Sequence, residues 1–458
     1  MESRRNVELS LLLLALILSV GAYVVVGLAA DNEVPAGSAG YGATLAGLFL
    51  GAHLVLRWRA PQADPILLPG AALLNGLGLV MVRRLDYADA AKDNYRPEAP
   101  AQALWTVLGM AVFVAVILVV RDHRVLDRYR YSWLLLGVAL LVLPALPVLG
   151  REINGARLWV RIGPFSGQPA EAAKIALVVF LAAYLAERKE LLATATYRAG
   201  PFLLPEIKYF MPLLLAWAAS LFVLFFEKDL GSSLLFFGVF VILVYVATGR
   251  FSYVATGRFS YVATGLGLFI FGAVVAYNLF AHVQVRVATW MDVWKYYIDR
   301  GFLLAQGLFA LATGGILGQG WNQGRPDFIP FASTDFIFAA FGEELGLLGV
   351  TAMLLVYLLM VFRGLRISLA APDDFGKLLA VGLVTSFALQ VFVIVGGVTR
   401  LIPLTGITLP FVSFGGSSLL ANYALIALLC RISDEGTPAP AAARAPVPAD
   451  AGEVTVIR

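Results

Sequence analysis

The sequence predicts an all-α polytopic membrane protein with about twelve transmembrane helices, and three observations predict it. Hydrophobic residues make up 60% of the 458-residue chain and charged residues only 14%, against about 45–50% and about 25% in soluble globular proteins. The apolar residues come in blocks approaching the roughly 20 residues that a spanning helix needs. Lys and Arg concentrate in alternate segments between those blocks, as expected of loops held on the cytoplasmic side.

Twelve blocks read as spans, at 9–29, 40–57, 66–82, 101–120, 132–149, 173–186, 209–226, 230–248, 262–281, 336–362, 378–398 and 411–430. The first is read as a retained span, because its apolar run of about 21 residues exceeds the ~7–15 of a signal peptide. Arg4 and Arg5 place the N-terminus in the cytoplasm. The inner loops are then 57–65, 121–131, 187–208, 249–261 and 363–377, all with basic residues, and both termini are cytoplasmic. The outer segments include 150–172 and the long 282–335 between spans nine and ten, whose Trp, Gly, Asp and Arg content argues for function over disorder. The expected organisation is two additional N-terminal spans (1–60), a ten-helix core (61–432) containing the 282–335 extracellular loop, and a disordered Ala/Pro-rich tail (433–458). Tyr-Val-Ala-Thr-Gly-Arg-Phe-Ser at 245–252 recurs at 253–260. Two copies are too few for a solenoid, so this reads as a tandem duplication or an error in the recorded sequence.

Composition also excludes classes of function. The lone Cys430 rules out an internal disulfide, and His53, His123 and His282 are too scattered for a metal motif. Net charge is +4 with no basic block, so membrane lipid rather than nucleic acid is the expected partner of the basic residues. No nucleotide-binding glycine motif is present, which argues against ATP-driven transport.

Charged groups in or beside spans are expensive unless paired or wet, so they are functional candidates. Asp335 stands between a polar loop and an apolar helix. Position alone favours a helix cap; a general base with raised pKa is the other reading. Arg157 and Arg286 lie on outer segments near Trp159, Trp290 and Trp294. Interfacial anchoring explains each singly, whereas together they suit an anionic headgroup. Lys174 and Glu171 open the sixth span. Glu343 and Glu344, inside the tenth, either pair with bundle cations or line a wet cavity.

Several motifs occur in order. They are Asn154-Gly155-Ala156-Arg157-Leu158-Trp159; Gln168-Pro169-Ala170-Glu171 with Lys174; Glu227-Lys228-Asp229-Leu230-Gly231; Thr334-Asp335-Phe336-Ile337-Phe338 running to Gly342-Glu343-Glu344-Leu345-Gly346; and Pro403-Leu404-Thr405-Gly406 followed by Ser413-Phe414-Gly415-Gly416-Ser417-Ser418. From about residue 100 to 435 they resemble the SEDS family of shape, elongation, division and sporulation proteins (RodA/FtsW/SpoVE type), and look most like RodA-type members from actinobacteria. The resemblance implies a peptidoglycan glycosyltransferase of the bacterial cytoplasmic membrane. It would polymerise lipid II at the outer face beside a class B penicillin-binding protein. It marks Asp335 as catalytic and Asp327 as a second acidic position. The sequence departs from it at Ser333, Ala170 and Lys228, where the family often has His, Ser and Pro.

The expected chemistry needs a base and cations for a leaving pyrophosphate. Asp335 is the expected base, with Arg157, Arg286 and Lys174 on pyrophosphate and Asp327, Glu343 and Glu344 as further substrate contacts. A divalent cation is compatible with this chemistry, but no dedicated metal ligand set is present. The alternatives are a lipid II flippase using Glu343 and Glu344, and a non-catalytic scaffold for a transpeptidase.

Overall fold

A computed structural model of the chain describes residues 2–90, 95–146, 149–153, 156–162, 165–193, 197–199, 202–204, 229–248 and 277–436, with isolated helical positions between 218 and 275. The helices are α1 (Glu2–Asp31), α2 (Ser38–Arg59), α3 (Leu67–Asp89), α4 (Ala99–Val119), α5 (Arg124–Arg128), α6 (Arg130–Val142), α7 (Pro169–Ala193), α8 (Leu230–Thr248), α9 (Ala281–Met291), α10 (Phe302–Gly314), α11 (Ile337–Ala370), α12 (Asp374–Val398) and α13 (Gly416–Gly436).

Among the described residues, α1, α2, α4, α7, α8, α11, α12 and α13 are long and apolar enough to cross a membrane, and α6 and α10 are shorter apolar helices. The expected third span is helical as α3, but its last third carries Arg83, Arg84, Asp86 and Asp89. The expected spans at 209–226 and 262–281, the repeat beyond 248 and the tail from 437 lie outside the described residues, apart from isolated positions. The helix α13 runs to Gly436, a few residues past the expected start of the tail.

Both of the long segments expected outside hold more structure than a loop. Leu158, Val160 and Ile162 alternate with Arg157, Trp159 and Arg161, which is the period of a strand. They form β2 (Ala156–Ile162), paired antiparallel with β1 (Gly150–Ile153) and β3 (Phe165–Gly167). Segment 282–335 contains most of α9 and all of α10, and α10 packs against α11. That packing is backbone to backbone: a Cβ on Gly314 would lie 1.9 Å from the Gly342 carbonyl oxygen.

The same contact breaks α11. Gly346 has φ 65° and ψ −170°, a conformation essentially reserved for glycine. The segment after α10 inserts at the break and replaces the lost helical hydrogen bonds. Gln319 N and Gly320 N donate to the carbonyls of Glu343 and Glu344, and Leu347 N and Leu348 N donate to those of Gly315 and Ile316.

Residues 399–415, between α12 and α13, run as irregular chain through the bundle. Backbone in such a place survives only if its polar groups find partners. Six side chains from five helices supply them. Asn75 of α3 donates to Phe411 O, Gln102 of α4 to Ser413 O, and Tyr357 of α11 to Pro410 O. Gln390 of α12 donates to Thr408 O, Trp290 of α9 to Arg400 O, and Arg286 of α9 to Leu404 O and Thr405 O. At the opposite ends of α12 and α13, His123 bridges Asp373 and Glu435 through its two ring nitrogens.

Tyr357→Phe removes one of these donors without changing the packed ring and leaves the Pro410 carbonyl unpartnered. The expected cost is about 1–3 kcal/mol, read as a lower midpoint in thermal unfolding of the detergent-solubilised protein.

Candidate active site

Three charged residues come together beside the 399–415 loop: Asp229 just before α8, Arg286 midway along α9 and Asp335 just before α11. Asp229 precedes α8 and caps it: Ser232 donates to Asp229 through its amide (3.1 Å) and its hydroxyl (2.5 Å). Its side chain is buried, and burial pushes its carboxyl above the usual range, against the effect of those hydrogen bonds and of Arg286. Arg286 projects from α9, and Nη1 donates to Leu404 O at 3.1 Å and Thr405 O at 2.8 Å. Burial lowers its pKa, while Asp229 and Asp335 act to raise it. Asp335 ends the turn that leads into α11.

The turn at Asp335 is held from two directions. Phe336 N donates to Phe331 O at 3.2 Å. Ser413 Oγ donates to Thr334 O at 2.6 Å, and Phe414 N donates to Ser333 O at 2.8 Å. Thus the turn carrying Asp335 and the loop fixed by Arg286 brace each other. Gly406 occupies their junction with φ +77°. A Cβ there would sit 3.6 Å from Asp335 Oδ2 and 4.0 Å from Arg286 Nη2, so the missing side chain leaves open the space that carboxylate and guanidinium share.

Surrounding protein pushes the Asp335 carboxyl up to about 6; Arg286 opposes that rise, Asp229 adds to it, and a hydrogen bond from Thr334 lowers it. A carboxyl so placed is ionised at neutral pH and close to the pKa of a working base.

Asp229, Arg286 and Asp335 face one cavity of about 760 Å³. Trp105, Trp159 and Trp290 contribute apolar wall, and Arg300 adds a second cation. The hydroxyls of Thr405 and Thr408, also at this wall, are buried without a partner among the described residues. An adjoining cleft of about 380 Å³ shares Glu98, Phe331 and Thr334 with the cavity. Burial raises the Glu98 carboxyl, with a hydrogen bond to Ser333 opposing.

Of the residues singled out in the sequence, Asp335 and Arg286 line one cavity. Arg157 lies on β2, two residues from Trp159, and its side chain lies outside the described residues. The others are elsewhere, each held by a protein partner. Lys174 is buried in α7, donating to Glu171 (2.8 Å) and to Gln390 Oε1 (2.7 Å). Gln390 in turn donates to Thr408 O and Ser418 Oγ, so Lys174 backs the cavity wall without reaching it. Glu343 accepts from Arg325 N (2.8 Å), and Glu344 from Arg84 Nε (2.6 Å) while Arg84 Nη2 also donates to Gly324 O. Both glutamates fasten the segment after α10 to α11. Asp327 lines the adjoining cleft; burial raises its carboxyl, but the paired guanidinium of Arg325 outweighs that and holds it below the usual range. Glu98 and Gly406 were not singled out, and Asp229, a candidate only as a charged group at a span end, was given no role. Asp229 and Gly406 stand inside motifs already noted; nothing local to Glu98 marks it.

A family model described as a cell cycle protein, of the FtsW, RodA and SpoVE type, matches residues 66–437. The peptidoglycan glycosyltransferase RodA of Mycobacterium tuberculosis is 48% identical over 435 residues, covering 94% of this chain and 91% of that one. A mutant of the Thermus thermophilus rod shape determining protein RodA superposes with a TM-score of 0.54 at 25% identity, covering 81% of this chain and 97% of that one. A chain from a peptidoglycan synthase complex, solved for the coordination of polymerization and crosslinking, gives 0.53 at 27% identity, covering 87% and 97%.

The carboxyl environment predicts a titration. Infrared difference spectra of the protein against Asp335→Asn should show one carboxyl C=O band lost as pH rises through about 6. Arg286→Gln removes the cation that favours the ionised form, so the midpoint should move upward.

Proposed function

The chain belongs to the FtsW, RodA and SpoVE family of cell cycle proteins, and on that premise we propose that it is a peptidoglycan glycosyltransferase in which Asp335 is the base and Arg286 the cation nearest the leaving pyrophosphate. The substrate is lipid II, polymerised into glycan strands for cell-wall growth. The observation that carries the reading is the placement of Asp335 and Arg286 around the vacant side-chain position of Gly406 in one cavity.

The reaction joins two lipid-linked sugars. A hydroxyl of the acceptor attacks the anomeric carbon of the donor, and the bond from that carbon to the pyrophosphate oxygen breaks. The hydroxyl proton passes to Asp335. The pyrophosphate leaves with the bonding electron pair, so negative charge grows on its oxygens. Arg286, with two donations already fixed to Leu404 and Thr405, is held in place before that charge develops, which is what makes a preorganised cation effective. Asp229 sets a carboxyl beside Arg286 that favours its charged form against burial. The hydroxyls of Thr405 and Thr408 can donate to phosphate, and Arg157 on β2 is assigned to the same headgroup. Lys174 is a positioning residue acting through Gln390.

The outer face of the bacterial cytoplasmic membrane is the assigned side of the cavity, since Arg4, Arg5 and the basic loops put both termini in the cytoplasm. A class B penicillin-binding protein is the assigned partner, supported by the likeness to a chain of a peptidoglycan synthase complex. The flippase reading drew on Glu343 and Glu344, which are engaged by Arg325 and Arg84; no observation favours it.

The purified protein with its partner, supplied with lipid II, should form glycan polymer, and Asp335→Asn should slow this by about 10²–10⁴-fold. Full polymer formation by Asp335→Asn would sink the assignment of the base.

A further inference from the structure

A third, smaller cleft lies between the two N-terminal helices and the part of the chain that the family model covers. Its volume is about 330 Å³, and it is lined from α1, α2, α3 and α4. Leu45, Leu48, Leu79 and Ala103 give it apolar walls. Tyr23 and Tyr41 stack at its side, with ring centroids 4.2 Å apart. Tyr41 is fixed there by donating to Gly76 O at 3.0 Å.

Among the described residues lining this cleft, Arg83 is the one cation. Its guanidinium lies 3.9 Å from the centroid of Tyr23 and donates to the Tyr87 hydroxyl at 2.5 Å. Among the described residues it has no carboxylate within ion-pairing distance. Asp86, which also lines the cleft, is committed elsewhere: it accepts from the Tyr95 hydroxyl, Glu98 N and Ala99 N. Its neighbour Arg84 faces the other way and is paired with Glu344. Aromatic faces attract a cation but do not neutralise it, and a charge beside an apolar inter-helix cleft calls for a counter-charge.

We propose that this cleft binds an anionic phospholipid, with one acyl chain along the apolar walls between α2 and α4 and the phosphate on Arg83. The guanidinium fork matches phosphate oxygens. Tyrosines are favoured at headgroup depth. The volume lies in the ordinary range for small-ligand sites and is too small for a partner helix about 10–12 Å across. The bound lipid would act as a strut between the α1–α2 hairpin and the core. This site is separate from Asp335 and stands whether or not the glycosyltransferase reading does.

The test uses the full chain in uncharged detergent, titrated with phosphatidylglycerol or phosphatidylcholine and followed by native mass spectrometry and melting temperature. Phosphatidylglycerol should bind about tenfold or more tightly than phosphatidylcholine, as charge-assisted hydrogen bonds allow, and should raise the melting temperature. Arg83→Gln should abolish that preference, and Arg83→Lys should keep part of it. Ala103→Phe, which fills the cleft and leaves Arg83 in place, should weaken both lipids. Each variant is compared with its own lipid-free baseline, so general destabilisation is not mistaken for lost binding. Equal binding of the two lipids by the parent, an undiminished preference in Arg83→Gln, or unchanged binding in Ala103→Phe would overturn the proposal.

Discussion

Everything at the candidate site hangs on the satisfied carbonyls of residues 399–415. An irregular chain inside a bundle of apolar helices is tolerated only when its backbone groups are hydrogen-bonded, and here α3, α4, α9, α11 and α12 each send polar side chains to do it. The loop therefore serves as the common anchor of five helices. Arg286 is one of these anchors and also the central cation of the cavity. The structural role and the proposed chemical role thus converge on one guanidinium, held by two carbonyls where a surface arginine would be free.

The charge arrangement follows from the same constraint. Asp335 and Asp229 share one arginine whose hydrogen bonds are directed at carbonyls. Incomplete pairing in a protein-lined space leaves a carboxyl with its pKa raised, and for Asp335 the result is about 6. Gly406 keeps the space between carboxylate and guanidinium open. Contrast Glu344, whose carboxylate meets Arg84 directly at 2.6 Å. That ion pair, with Arg84 also donating to Gly324 O, ties chain segments together. The distinction between a carboxyl that faces an open cavity and one committed to structure therefore lies in geometry that flanking residues alone do not reveal.

This is why some residues were legible in the sequence and others were not. The helices α1, α2, α4, α11, α12 and α13 follow directly from apolar blocks, and Asp335 was marked by its place between polar loop and apolar helix. Charge at a span was a poor guide by itself: Lys174, Glu343 and Glu344 have partners more than ten residues away in Gln390, Arg325 and Arg84, or bind backbone that no local pattern discloses. The antiparallel strands in 150–167 were visible in principle as alternation, but the span-length reading passed over so short a signal. The break at Gly346 was present as a glycine in a quoted motif. Its meaning needed the insertion of residues 315–320, which only the packed structure displays.

The central claim is that a single carboxylate, Asp335, must be ionised for glycan strands to grow. The most direct measurement is the initial rate of lipid II polymerisation from pH 4.5 to 8 for the parent protein, set against the residual rate of Asp335→Asn. The raised pKa predicts a parental rate that climbs about tenfold per pH unit below about 6 and levels off above about 7, with no such step in the variant. A parental rate that stays flat across that window, or a step of the same size and midpoint in Asp335→Asn, would contradict it.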